Sequence, residues 1–278
     1  MSKPLGYIGL GNMGAPMVAN MAKAGLSVAT YDKAGTGTAS SIGALARDCA
    51  TVFVCVPDGA ASRNVIEAIL AVDERQVTTI INLSTTGIEA AEGLAAMLGG
   101  TGMSYVDAPV SGGMSGAVAG TITVMWSGPE ALCNEMRPVL ETFAKSVFFI
   151  GVRPGQGQAV KLLNNFLSAT ALTATSEAIA FGLAQGLDMK TMLDVVNVST
   201  GRNTATSDKF VNRVLPGTFD AGFRLALMEK DVSLYMEAVR AAGSPDKLGT
   251  VLADYWRDGV EAFPDGDFTE IYKLVKGE

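Results

Sequence analysis

The chain of 278 residues contains no histidine. Without imidazole there is no Ser/His/Asp triad, no Cys/His nucleophilic pair, no His-liganded zinc and no histidine acid/base. Proton transfer, if the chain carries out any, falls to Lys, Asp, Glu, Tyr or Cys. Cysteine is scarce: Cys49, Cys55 and Cys133 are odd in number and lack C-x-x-C spacing, which reads as reduced thiols in a cytoplasmic protein rather than a disulfide framework. Basic charge is in deficit, with 21 Lys+Arg against 28 Asp+Glu and a net charge of −7. That balance argues against a nucleic-acid footprint and against a basic membrane patch. Uninterrupted apolar runs are missing as well, despite a mean hydropathy of +0.28. The most apolar helical stretch, 162–183, is broken by Asn164, Asn165, Ser168 and Glu177, so no membrane span is expected. No charged and then apolar leader opens the sequence, where a strand-like run starts at Leu5.

What is present divides into two halves. Up to about residue 150, apolar β-rich runs at 5–9, 27–31, 51–56, 78–82, 104–108, 121–125 and 147–150 alternate with helical stretches at 11–24, 60–70, 88–98 and 129–143. Continuous apolar strands separated by helices predict a parallel sheet covered on both faces, a doubly wound α/β domain of the Rossmann type. Beyond Pro154 no β-rich run recurs. Helices are expected from near Gly157 as a long connecting element, then through 176–186, 189–199, 228–242 and 248–259, giving an all-α second domain. The expected domains are 1–154 and 155–278.

Gly9-Leu10-Gly11-Asn12-Met13-Gly14 follows the first strand and opens the first helix. The first glycine serves the tight turn, the second lets backbone approach a pyrophosphate, and the third packs helix on strand. The helix N-terminus then offers N–H groups and partial positive charge to phosphates. A lone G-x-G-x-x-G can be an ordinary glycine-rich turn. Here the strand, the helix and an acid at the end of the next strand, Asp32, all stand where dinucleotide binding requires them. A carboxylate at Asp32 accepts hydrogen bonds from an adenosine ribose and repels a 2′-phosphate, so NAD is favoured over NADP. The adjacent Lys33 is either a solvated turn lysine or a partner for that phosphate.

Two further features carry polar groups at expected ligand positions. Asp107-Ala108-Pro109-Val110-Ser111-Gly112-Gly113 follows the fifth strand. Ser111 offers a hydroxyl and the glycines let N–H groups approach an anion, or else the segment is a flexible connection. Lys161 and Asn165 stand four apart on the long helix and share a face with Ser168 and Leu172. An amine and a carboxamide on a mostly apolar helix are costly to bury without a task. Desolvated, the lysine is a general acid/base candidate; otherwise it snorkels to solvent.

These motifs in this order, with Lys230-Asp231 on a later helix, resemble the β-hydroxyacid dehydrogenase family over essentially the whole chain. The resemblance implies a nicotinamide-dependent oxidoreductase acting on a small β-hydroxy acid or its semialdehyde, without a metal, and a homo-oligomer, dimer or tetramer, held by the helical domain. It implies Lys161 as catalytic acid/base and Asn165 as substrate-positioning. Ser111, Gly112 and Gly113 would cradle the substrate carboxylate. Gly9 to Gly14, Asp32, Lys33, Val56, Pro57, Thr85 and Lys230 would meet the cofactor, with Asp231 orienting Lys230. The related 6-phosphogluconate dehydrogenases carry a histidine where this chain has Asn164, which disfavours oxidative decarboxylation of a phosphorylated sugar acid. Imine reductases usually replace the lysine, which is present here. Among acids, 3-hydroxyisobutyrate leads, with tartronate semialdehyde, 2-(hydroxymethyl)glutarate and succinate semialdehyde as alternatives. A second carboxylate would call for Arg202 or Arg224, unless these are surface arginines. Phe210 and Phe223 are pocket walls or core. A non-catalytic dinucleotide sensor or scaffold is the alternative of another class.

Overall fold

The computed structural model describes residues 4–277. Residues 1–3 of the expected first domain and residue 278 of the second lie outside the described residues. The chain forms two compact units, divided between Lys161 and Leu162.

In the first unit, β1 (Leu5–Ile8), β3 (Thr51–Val54), β4 (Thr79–Asn82) and β5 (Ser104–Asp107) lie side by side and parallel, with β2 (Val28–Tyr31) parallel on the outer side of β1. Alternate residues feed two cores. Tyr7, Phe53, Ile81 and Val106 point to one face, where they meet Met17 and Met21 of α1 (Gly14–Lys23). Ile8, Val52, Val54, Ile80 and Tyr105 point to the other, against Leu45 of α2 (Ile42–Asp48), Val65, Ile66 and Ile69 of α3 (Gly59–Leu70) and Leu94 of α4 (Ile88–Met97). Strands buried on both faces explain the continuous apolar runs. Full burial of each such side chain contributes roughly 1.5–3 kcal/mol, so the sheet is a rigid platform for the loops at its edge.

The expected parallel sheet gives way beyond β5. After Asp107 the chain enters a two-residue β6 (Val110–Ser111) and a seven-residue α5 (Gly113–Ala119), then returns as β7 (Ile122–Ser127), antiparallel to β5 and β6. A parallel neighbour needs a crossover long enough to travel back along the sheet, and this connection instead turns at the edge. Only β8 (Ala144–Gly151), reached through α6 (Glu130–Leu140), is parallel to β7. The helix α5, Gly-rich and weak in propensity, was not expected; it buries Gly116 and Ala117. The thiols of Cys49, Cys55 and Cys133 are all free.

The second unit holds the remainder of α7 (Gln156–Ala184), then α8 (Met189–Asn197), α9 (Leu225–Ala241), α10 (Lys247–Ala262) and α11 (Ile271–Lys276). The helix expected over 176–186 is the last part of α7, which runs unbroken. The segment Ala205–Val214, not expected as a helix, is wound as a π-helix, with Leu215 N donating to Phe210 O at 2.8 Å. One isolated bridge joins Arg224 and Asp267. By length and hydropathy α7 could cross a membrane. It nevertheless carries polar residues along its length, and its Ala169, Leu172 and Ile179 belong to the core of this unit with Phe210, Leu225, Val232 and Trp256.

Candidate active site

With β2 and β3 on opposite sides of β1, the strand order reverses direction at β1/β3, and the crevice beyond their C-terminal ends is where doubly wound folds take ligands. The glycine loop stands there. Gly9 has φ +100°, and a Cβ on it would lie 2.1 Å from Cys55 O; a Cβ on Gly14 would lie 1.9 Å from Gly9 O. Around Gly11 nothing lies within 4 Å of such an atom. The first and third glycines therefore hold the loop against the protein, and the second leaves open space. Leu10 and Met13 are half-buried, Gly11 and Asn12 exposed, and no side chain caps α1. This is the cradle a pyrophosphate requires.

Asp32, at the end of β2, is held by two backbone hydrogen bonds. Its Oδ2 accepts from Leu10 N at 2.7 Å and its Oδ1 from Ala34 N at 2.8 Å. These backbone bonds, first Ala34 and then Leu10, hold the carboxyl below its ordinary range, so it is ionised at neutral pH and ties the glycine loop to β2. Lys33 is exposed in the following turn. Val56, half-buried after β3, donates its N–H to Ser84 Oγ at 2.9 Å, and Pro57 beside it is exposed. Thr85 is half-buried one residue beyond Ser84. Ser111 ends β6, paired opposite Thr123, while Gly112 (φ +137°) and Gly113 (φ +63°) are exposed and open α5.

The same sheet edge holds a buried network that sequence reasoning did not assign. Asp107 Oδ2 accepts from the N–H groups of Gly155 (3.2 Å) and Gln158 (3.1 Å), and Oδ1 from Gln158 Nε2 (2.6 Å). An acid at the N-terminus of α7 satisfies otherwise orphaned donors and complements the helix dipole. Lys161 lies one turn further along α7 and is buried, 8% exposed. The sequence signal for this network was thin: a carboxamide three residues before Lys161, and an acid at a strand end.

Burial pushes the Asp107 carboxyl from 3.8 up to about 6, against the hydrogen bonds from Gln158 and Gly155 that pull it down. A folded pKa above the unfolded one means that the native state holds the proton more tightly. The stability due to this group is thus present below pH ~4 and lost as pH rises through ~6, by a few kcal/mol at most. Denaturant melts of the protein and Asp107→Asn between pH 4 and 6.5 should show the wild type losing stability relative to the variant as pH rises. An opposite or absent trend overturns the assignment.

In the second unit, Asn165 Nδ2 donates to Asp231 Oδ2 at 2.5 Å, and Lys230 Nζ lies 3.0 Å from Asp231 Oδ1. The carboxylate only accepts, so it selects the amide orientation that leaves Asn165 Oδ1 as an acceptor; that oxygen takes a bond from Asn164 Nδ2 at 3.1 Å. Asp231 thus orients Asn165 as well as Lys230, which the sequence did not reveal. Arg224 is engaged at the surface with Asp265 at 3.0 Å, and Arg202 is exposed in a turn. Phe210 is fully buried, edge-on to Tyr272, and Phe223 packs edge-on to Phe268.

The sheet order, the glycine cradle and the ionised acid at the end of β2 define a dinucleotide-binding protein of the Rossmann type with a helical second unit. Residues 4–151 match the family model described as the NAD binding domain of 6-phosphogluconate dehydrogenase. Residues 155–275 match the one described as NAD-binding of NADP-dependent 3-hydroxyisobutyrate dehydrogenase. The chain is 35% identical to the probable 3-hydroxyisobutyrate dehydrogenase of Mycobacterium tuberculosis (strain ATCC 25618 / H37Rv), over 98% of this chain and 97% of that one. It is 32% identical to 2-(hydroxymethyl)glutarate dehydrogenase of Eubacterium barkeri, over 92% and 88%. The solved structure of Mycobacterium tuberculosis 3-hydroxyisobutyrate dehydrogenase with L-serine matches with a TM-score of 0.89 at 32% identity, over 99% of this chain and all of that one. The chain belongs to the β-hydroxyacid dehydrogenase family and is a nicotinamide-dependent dehydrogenase.

Proposed function

We propose that the protein carries out reversible hydride transfer between NAD and the hydroxyl-bearing carbon of a short β-hydroxy monocarboxylic acid of the 3-hydroxyisobutyrate type. The observation that carries this reading is the buried Lys161, one turn beyond an α7 N-terminus anchored at the cofactor-crevice edge of the sheet. A bound nicotinamide supplies or accepts the hydride. Neutral Lys161 takes the hydroxyl proton during oxidation; as an ammonium it stabilises and then protonates the substrate oxygen during reduction. Ser111, Gly112 and Gly113 hold the carboxylate, and Asn165, oriented by Asp231, positions the substrate. Gly9, Leu10, Gly11, Asn12, Met13, Gly14, Asp32, Lys33, Val56, Pro57, Thr85 and Lys230 bind the cofactor. Residues 1–154 form the cofactor domain, and 155–278 the substrate and oligomerisation domain of a cytoplasmic dimer or tetramer. The relatives are named as dehydrogenases, and nothing favours a sensor or scaffold.

Two observations support the finer choices. The ionised carboxylate of Asp32 repels a 2′-phosphate and so favours NAD. Arg224 is occupied by Asp265, which leaves one of the two candidate cations for a second carboxylate already paired and favours a monocarboxylate over 2-(hydroxymethyl)glutarate. The test is absorbance of reduced cofactor with NAD+ or NADP+ and a panel of 3-hydroxyisobutyrate, L-serine, glycerate, 4-hydroxybutyrate and 2-(hydroxymethyl)glutarate. Turnover of 3-hydroxyisobutyrate with NAD+ is expected, with kcat/KM at least about tenfold lower for NADP+, equivalent to about 1.4 kcal/mol. Preference for NADP+ or for the dicarboxylate overturns those choices, and silence with every acid overturns the proposed substrate class.

A further inference from the structure

Gln158 is fully buried in the first turn of α7, three residues before Lys161. A glutamine side chain has two N–H donors and two acceptor lone pairs, and all four are used. Oε1 accepts from Thr86 N at 2.9 Å and Gly87 N at 3.2 Å; Nε2 donates to Ser84 O at 3.0 Å and Asp107 Oδ1 at 2.6 Å. Through Ser84 Oγ the same network reaches Val56 N. One side chain therefore joins the loop that follows β4 and the last residue of β5 to the turn of helix that carries Lys161, and Ser84 Oγ ties the loop after β3 to the same segment. The backbone of this turn also packs closely on the sheet, since a Cβ on Gly157 would lie 2.5 Å from Met125 O and 3.1 Å from Asp107 Oδ2.

We infer that Gln158 is a positioning residue, fixing the Lys161 turn of α7 against the loops bearing Val56 and Thr85 so that the proton-transferring amine and the cofactor side of the site keep one geometry. The inference rests on reading Lys161 as the proton-transferring group. An apolar side chain of similar shape would pack the helix without orienting it. A fully satisfied buried polar network, by contrast, specifies one arrangement, since each misalignment leaves a donor or acceptor unpaired. Displacement of a reacting group by about 1 Å costs about a hundredfold in rate, so the signature of such a residue is loss of kcat without loss of binding.

The test is a reciprocal exchange. In Gln158→Glu an oxygen replaces Nε2 and faces Asp107 Oδ1; in Asp107→Asn an amide N–H₂ placed at Oδ1 faces Nε2. The double variant D107N/Q158E restores the donor–acceptor pair between positions 107 and 158 with its polarity reversed, and the amide oxygen introduced at position 107 can still accept from the N–H groups of residues 155 and 158. The bond that Nε2 gives Ser84 O is restored as well when the introduced carboxyl is protonated, its hydroxyl donating to Ser84 O and accepting from position 107, so rates are read from pH 5 to 8. For each variant, folding is followed by thermal melt, cofactor affinity by fluorescence titration, and kcat and KM by steady-state rates, with Lys161→Met run in parallel. Each single variant, folded and binding NAD as the wild type does, is expected to lose kcat by about ten- to a hundredfold with little change in KM, and the double variant to recover most of that loss. Wild-type kcat in a folded single variant, a loss confined to KM or cofactor affinity, or a double variant no better than the worse single one overturns the positioning role. Should a single variant fail to fold, the double variant decides: folded with kcat near wild type it supports the exchange, and folded with kcat down a hundredfold it overturns it. Retained turnover in Lys161→Met defeats the lysine reading itself, and is recognised independently of the Gln158 result.

Discussion

Lys161→Met should abolish measurable hydride transfer, with kcat down by a thousandfold or more, near the upper part of the range that general acid/base groups contribute (~10²–10⁴). Methionine keeps most of the side-chain volume and suits a buried helical position, so the fold and the cofactor cradle should survive. Lys161 is 8% exposed, and an unbranched apolar side chain of similar length fills that buried position. NAD affinity should therefore stay at the wild-type level, because the cradle is built from β1, α1 and β2. Lys161→Arg separates the two roles assigned to the amine. A guanidinium stays charged at all accessible pH, so it can stabilise an oxyanion yet cannot act as the base for alcohol oxidation. Single-turnover absorbance with each variant checks this. A Met variant that still turns over at more than about a hundredth of the wild-type rate would mean that another group moves the proton.

The glycine loop provides the second large effect, as a contrast between neighbouring positions. Gly14→Ala drives a methyl to 1.9 Å from Gly9 O and 3.0 Å from Gly9 C, backbone atoms that no rotamer change can move aside. The start of α1 must lift from β1. Overpacking of this kind costs about 3 kcal/mol, corresponding to a Tm lower by ~6–12 °C in a protein of this size. Dinucleotide binding should be lost with it. Gly11→Ala meets nothing within 4 Å, so its melting temperature should hold within a degree or two. Its effect should appear only with ligand, as an NAD affinity at least about tenfold weaker, equivalent to about 1.4 kcal/mol. Thermal melts with and without NAD resolve both. Equal affinity in Gly11→Ala and the wild type would remove the pyrophosphate from that side of the loop.

Several elements were legible because their cause is local. Four of the first five strands, β1, β3, β4 and β5, are buried on both faces and read as apolar segments, and the turn between β1 and α1 declares itself through glycines that backbone geometry demands. Asp32 could be placed at the end of β2 by spacing alone. Its second task, holding Leu10 N–H, depends on where β2 packs. The reversal at β7 escaped because Thr121 to Met125 is equally apolar in either direction, and strand polarity is decided by the length of the connection and the partner it meets. The π-helix at Ala205–Val214 escaped because six of its residues, Thr206, Ser207, Asp208, Lys209, Asn212 and Arg213, are polar, which leaves too few apolar positions to mark a helical repeat.

The missing histidine, the glycine spacing and the Lys161/Asn165 interval belong to the sequence, because composition and i,i+4 geometry do not depend on what packs around them. With the alternating apolar strands and helices of the first half and Asp32 at the end of the second strand, they imply the doubly wound fold, a dinucleotide cofactor and a lysine as the candidate proton carrier. Only the tertiary structure decided what holds those groups still. Asp107 and Gln158 are separated by 51 residues, as are Asn165 and Asp231 by 66, and no periodicity reports a hydrogen bond across such distances. Those contacts exist because the folded sheet edge and the helical core exclude water from polar side chains, which must then find one another.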